Sequence, residues 1–399
     1  MSHVPEAGRE EGSQDVSVRP RAGHLLFVVT EDWYFVSHRL RLARAAIAAG
    51  YRVTVATRVR AHGPAIREAG VGLIDLPFRR AGLNPLRDLA IVARLIGIYR
   101  EIRPDIVHNV AIKPVALGSI AARFANRPAV VNALGGLGYV VASSSLKAAV
   151  LRPLVFALLR VAFGNERSRL IVQNDDDGAL LIGRKLIAAT KIRLIRGAGV
   201  DTRAFPPSEP PPPPLLVIMP SRLLRDKGVY EFVDAARRLR SAGVPGRFAL
   251  VGAPDNENPA SVSQAEIDAW VDEGVVEYWG WRDDMVDVMS RAHIVCLPSY
   301  REGLPKVLLE AAAASRAVVT TDVPGCRDAV RHGITGLVVP VRDAVALAEA
   351  IRTLLVDEDK RRTFGINGRK WIESEFTDDK VIAATLAVYR ELLQAPPTR

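Results

Sequence analysis

"HIVCLPSYREGLPKVLLEAAAA", residues 293–314, joins an apolar run to a turn rich in charge, glycine and proline, and then to an alanine-rich segment. The run ending at Pro298 reads as a buried strand. The segment beginning near Pro305 reads as a helix, because proline suits a first helical turn. Its alanines, 311–314, allow close packing on a sheet. A strand that passes at once into a helix is half of a parallel crossover unit. The same pattern recurs on both sides: "LLVIMP" before a helix from about Gly228, then "RFALVG", "VVEYWG" and, downstream, "AVVTT".

A second alternating series precedes this one. "HLLFVVT", the helical "SHRLRLARAAIAAG" closed by Gly50, "YRVTVAT", "DIVHNV", the helical "KPVALGSIAARFA", "PAVVNAL", "RLIVQN" and "KIRLI" follow in order. Strands alternating with helices imply parallel pairing with crossovers. Between the two series lies "FPPSEPPPPP", residues 205–214, which excludes helix and central strand and favours an extended linker. The expected organisation is a disordered tail (1–22), one doubly wound α/β domain (23–205) and a linker (206–212). A second such domain (213–375) and a C-terminal helix (376–399) that could return to the first domain complete the chain. Two open sheets facing each other form a cleft, and ligands of such sheets bind beyond the carboxyl ends of the strands.

Composition narrows the function. The 399 residues suit two or three domains, and 49% hydrophobic content supports large cores. Cys296 and Cys326 make no disulfide framework. No secretory signal and no spanning apolar stretch is evident. Residues 23–205 carry 27 Lys/Arg against 12 Asp/Glu, a net +15, whereas residues 206–399 carry 24 against 28. A basic first half calls for an anionic partner. Nucleic acid is disfavoured, since no RNA-binding signature or zinc-finger spacing occurs.

In the second half, "SRLLRDKG" sets Arg222 and Lys227 just after a strand, where both could reach a diphosphate. The next conspicuous strand end carries Glu302, Gly303 and Glu310. Gly303 would let backbone approach a ligand. The free amides and dipole of the following helix suit phosphate. Glu310 could accept from a ribose diol and Glu302 from sugar hydroxyls. Solvated turns and helix faces also produce such residues, but their succession on strand ends favours a site. "NDDDG", 174–178, reads as a helix cap with acids in its first turn rather than a metal cluster. "WRDDM" is a similar helix start. "GGLGYV", 135–140, lacks dinucleotide-fingerprint spacing; Gly135 and Gly136 are expected to face the donor phosphates.

"SRLLRDKGVYEF", "REGLPKVLLEAAAASRAVVTTDVPGCRDAVRHGITGLVVP" and "GAGVDTRAF" resemble retaining GT-B glycosyltransferases of family GT4, whose hallmark is two glutamates separated by seven residues. "EDWYFVSHRLRLARAA", "HNVAIKPVALGSIAARFA" and "VVNALGGLGYV" resemble a bacterial subgroup that builds surface polysaccharides or lipid-linked oligosaccharides. The resemblance implies a nucleotide-sugar donor, chiefly a UDP-sugar, and a lipid-diphosphate-linked glycan acceptor. It assigns Arg222 and Lys227 to the diphosphate and Glu302 to the donor sugar, making these three the catalytic set. The amides of Gly303 and Leu304 lie nearby, and Glu310 takes the ribose. No metal or other cofactor is implied. Many relatives have a histidine after the strand that here reads "VVNALGG"; this chain has Asn132, Ala133 and Leu134. His38, His108, Lys113 and Asn132 remain acceptor-side candidates.

A cytoplasmic location, peripheral on the inner membrane face, accords with the basic segment 145–169, where Lys147, Arg152, Arg160, Arg167 and Arg169 punctuate apolar residues. A buried helix with snorkelling arginines is the other reading. A nucleotide-sugar epimerase of the same architecture, or an inactive donor-binding partner in a glycan assembly complex, are the alternative functions.

Overall fold

A computed structural model describes residues 22–78, 84–125, 128–137, 146–255 and 257–394. The first sheet contains β1 (Gly23–Glu31), β2 (Tyr51–Arg58), β3 (Gly72–Asp75), β4 (Ile106–Val110), β5 (Ala129–Ala133), β6 (Ser168–Val172) and β7 (Ile192–Leu194). Their order is β3-β2-β1-β4-β5-β6-β7, every pair parallel. The second sheet contains β8 (Leu216–Pro220), β9 (Arg247–Val251), β10 (Glu277–Gly280), β11 (Ile294–Leu297), β12 (Ala317–Thr321) and β13 (Gly336–Val339). Its order is β10-β9-β8-β11-β12-β13, again parallel throughout.

Both sheets are covered on both faces, which is why their central strands read as unbroken apolar runs. Leu25, Phe27 and Val29 of β1 enter one cluster, while Leu26 and Val28 enter another on the opposite face. In the second unit, Val217 and Met219 of β8 face one cluster and Leu216 and Ile218 the other. The helix Asp378–Gln394 belongs to the first unit's core: Val381, Val388, Tyr389 and Leu392 join the cluster of Leu25 and Phe27.

The chain thus passes between units twice, and the two passages touch. Val200 donates to Phe376 O at 3.0 Å, and Asp378 N–H donates to Val200 O at 3.1 Å. Gly199, at φ +72°, permits this approach, since a Cβ there would lie 2.5 Å from Asp378 Cα. The proline-rich segment is strapped to the second unit. The buried Arg316 guanidinium donates to Ser208 O at 2.9 Å and to Met289 O at 2.8 Å. His293 accepts from Leu216 N–H through Nδ1 at 3.0 Å, so its Nε2–H donates to Pro211 O at 2.8 Å.

Candidate active site

The carboxyl ends of β8 and β11 are neighbours because the two strands pair directly. Arg222 follows β8, and a short turn, Arg225–Lys227, leads to Gly228 at φ +79°. A Cβ on Gly228 would lie 2.1 Å from Pro298 O, so glycine lets the β8 loop lie on the β11 loop. That contact delivers Lys227 Nζ to 2.5 Å from Glu302 Oε1, which also accepts from Ser299 Oγ at 2.8 Å. Both partners are largely enclosed, with 16% and 13% of their side-chain surfaces exposed. Arg222 Nη1 is 2.9 Å from Asp255 Oδ2, on the loop that leaves β9. The β11 loop then enters the helix Lys306–Ala313, with Pro305 as its cap residue and no side chain capping its start. Glu310 lies one turn in, buried, with Lys306 Nζ at 2.7 Å. Lys227 and Glu302 are therefore brought into contact, while Arg222, held by Asp255, and Glu310, held by Lys306, lie on the same two strand-to-helix connections.

Gly303 does something the sequence does not reveal. A Cβ on it would stand 2.3 Å from Gly135 O and 2.5 Å from Gln173 Oε1, both of the first unit. Its missing side chain serves contact between units. Gly136, at φ +112°, completes that contact: a Cβ there would be 3.0 Å from Gly303 N. Leu304 rests against the first unit too, its Cδ2 2.9 Å from where Gly197 would carry a Cβ.

Among the acceptor-side candidates, His38 lies near the facing unit, close enough to feel the charge of its Lys306. It stacks on Tyr34 with ring centroids 4.2 Å apart, and its Nδ1 lies 2.6 Å from Ser37 Oγ. Burial, reinforced by Arg39 and by Lys306 of the facing unit, pushes its imidazole down to about 3, so it is neutral at physiological pH. His108 and Asn132 are corrected to core residues. They project from β4 and β5 into packed layers instead of from the loops beyond. His108 is 1% exposed, stacked on Phe27, with Nδ1 2.6 Å from Tyr389 Oη. Asn132 is fully buried and accepts from Asn109 Nδ2 at 2.9 Å and Ser119 Oγ at 3.0 Å. Lys113 pairs with Asp88 at 2.7 Å.

Further contacts bridge the units at the cleft. Arg58, bound to Glu31, reaches Glu257 of the second unit at 3.3 Å, and Arg60 reaches it at 3.0 Å. The hydrogen bond from Arg58 is the main cause that holds the Glu257 carboxyl below its usual range. Trp33 and Trp281 meet edge to face, centroids 6.4 Å apart. Asn174 caps the helix Asp175–Gly183, as its sequence suggests, and Asp177 pairs with Arg301 of the second unit. Among the described residues no group of three or more His, Cys, Asp or Glu is placed to hold a metal ion.

The described residues 146–169 divide between the helix Leu146–Phe163 and the start of strand β6. Arg167 donates to Leu392 O at 3.4 Å and Arg169 to Glu391 at 2.6 Å, both turned to the terminal helix. Among the described residues no helix is long and apolar enough to cross a membrane.

Two family profiles match, "Glycosyl transferases group 1" over residues 214–357 and "Glycosyl transferase 4-like" over residues 24–174. The chain is 29% identical over 331 residues, 80% of its length and 85% of the relative's, to N,N'-diacetylbacillosaminyl-diphospho-undecaprenol alpha-1,3-N-acetylgalactosaminyltransferase of Campylobacter jejuni. Among solved structures, sucrose-phosphate synthase of Thermosynechococcus elongatus superposes with a TM-score of 0.78 at 22% identity, covering 94% of this chain and all of that one. Anabaena Alr3699/HepE, in complex with UDP-glucose, superposes with a TM-score of 0.70 at 20% identity, covering 92% and 99%. These structures share the GT-B fold, two facing parallel-sheet units; the two matched profiles, which between them span both units, show that the chain belongs to the GT4-type glycosyltransferases.

Proposed function

We propose that this glycosyltransferase draws its sugar from a nucleoside diphosphate donor, a UDP-sugar, and transfers it with retention to a lipid-diphosphate-linked acceptor in surface-glycan assembly. The observation that carries this reading is the contact of Lys227 with Glu302 where the β8 and β11 loops meet, with Arg222 and Glu310 on those same two connections. Two cations and an uncapped helix start suit a diphosphate, and two carboxylates suit hydroxyl groups. In transfer, the bond from the anomeric carbon to the phosphate oxygen breaks and the nucleoside diphosphate leaves with the electron pair. The acceptor hydroxyl bonds to the same face of that carbon and gives its proton to the departing phosphate. Arg222, Lys227 and the start of the helix Lys306–Ala313 take up the charge that grows there, so no metal is required. The named Campylobacter relative acts on a diphospho-undecaprenol substrate, and the HepE structure holds UDP-glucose, which support the acceptor and donor classes.

Peripheral membrane binding on the cytoplasmic side follows from the same acceptor class. The helix Leu146–Phe163 buries Val155, Leu159 and Phe163 while leaving Val150 and Leu154 outward, 70% and 52% exposed. Its outward face, within a unit of net charge +15 over residues 23–205, suits an anionic lipid surface.

The test is a panel of nucleotide sugars with a lipid-diphosphate acceptor, following nucleotide release and glycosylated lipid together. Acceptor-dependent release with retained anomeric configuration is expected. Sugar interconversion without acceptor, or an inverted product, would sink the reading.

A further inference from the structure

We propose that Asn174 is a positioning residue for transfer, holding the Arg301–Leu304 turn, and with it Glu302, from the opposite unit. This rests on the reading of Glu302 as a ligand of the donor sugar.

Asn174 is fully buried and works in two directions. Its Oδ1 accepts from Asp177 N–H at 2.8 Å, the cap of its own helix. Its Nδ2 donates to Gly303 O at 2.8 Å, across the cleft. The two partners, an N–H on one side and a carbonyl on the other, fix the orientation of the amide. A trans peptide is planar, so its N–H points opposite to its C=O. Holding Gly303 O toward the first unit therefore turns Leu304 N–H the other way. Gly325, at φ +79°, packs against the same carbonyl, since a Cβ there would lie 2.2 Å from Gly303 O.

Adjacent residues act on the same turn. Asp177, 2% exposed, pairs with Arg301, the residue before Glu302. Gln173 Oε1 lies 2.5 Å from the Cβ position of Gly303, and Asp176 Oδ2 lies 3.6 Å from Arg327 Nη2. Four of the five residues 173–177 thus touch the second unit, concentrated on the turn that carries Glu302. A helix cap alone requires none of this, and serine caps a helix as well as asparagine.

That equivalence supplies the experiment. Asn174→Ser keeps a capping oxygen but is too short to reach Gly303 O; Asn174→Ala loses both. For the full-length protein, Tm, nucleotide Kd by calorimetry, and kcat and KM for the donor are measured. Both variants are expected to lose between about fivefold and about 100-fold in kcat, with nucleotide Kd within about twofold of wild type, and with Tm lowered further in the alanine variant than in the serine variant. Glu302→Gln is measured beside them, and the double variant Asn174→Ser/Glu302→Gln is expected to be no slower than Glu302→Gln, since the two act as one unit. Wild-type kcat in Asn174→Ser would show that the residue is only a cap. Additive losses in the double variant would likewise overturn the inference. If Glu302→Gln itself transfers at the wild-type rate, the role given to Glu302 falls, and the positioning inference falls with it. If Glu302→Gln is slow while Asn174→Ser is not, the inference alone falls.

Discussion

Gly303→Ala isolates the contact between the two units from everything else glycine can do. The backbone of Gly303 is not in the left-handed region, so alanine adds no conformational strain of its own. What it adds is a methyl 2.3 Å from Gly135 O and 2.5 Å from Gln173 Oε1. Gln173 can swing aside, but a backbone oxygen cannot. Ordinary contact begins near ~3.5 Å, so the two surfaces must part by about 1 Å. The three atoms nearest the methyl all belong to the facing unit, so the strain falls between the units. A displacement of ~1 Å at the reacting groups can cost ~100-fold in rate. The expected variant therefore folds with both cores intact and transfers sugar about 100-fold more slowly. Initial-rate kinetics at saturating donor and acceptor measure the loss, and small-angle scattering measures separation of the units. Wild-type turnover with an unchanged scattering profile would mean that the two units need not touch at Gly303 during transfer.

Glu310→Ala removes a charged acceptor worth roughly 1.5–3 kcal/mol, so nucleotide Kd should rise about tenfold or more; an unchanged value by calorimetry would exclude contact with the ribose. Activity should survive EDTA, because Arg222 and Lys227 supply the positive charge for the leaving diphosphate; loss restored by magnesium or manganese would contradict this. The protein should co-sediment with phosphatidylglycerol vesicles at low salt and release at high salt, each basic residue contributing about 1 kcal/mol within a Debye length. Leu154→Glu should weaken that binding and spare nucleotide affinity, and a wild type that ignores such vesicles would remove the proposed surface.

The strands, and the turn and helix that carry the proposed site residues, are legible because they obey local rules. An apolar run flanked by turn residues announces β1 or β8 whatever it pairs with, and Glu302 and Glu310 are tied to one turn and one helix. Even the cap role of Asn174 is local, since the helix it starts follows within the same few residues. The contacts between units obey no such rule. Gly303 reads as a glycine beside a ligand, and its packing against Gly135 appears only when β5 and β11 face each other. Arg169 reads as one more charge on a basic segment, and Glu391, its partner at 2.6 Å, lies 222 residues away. His108 and Asn132 show the converse error. A polar residue in a strand "DIVHNV" or "PAVVNAL" invites a functional role, but strand alternation settles only which face it takes, not whether a helix covers that face. Here Tyr389 and Ser119 do. Tyr389 comes from the helix that returns after the whole second unit, so the burial of His108 depends on the chain's last element. The residues proposed for the chemistry thus lie in short sequence-local motifs, whereas the alignment of the two halves is carried by pairs far apart in sequence. Substitutions at Asn174, Asp177 or Gly303 are expected to act on turnover through that alignment, and substitutions at Glu310 on affinity.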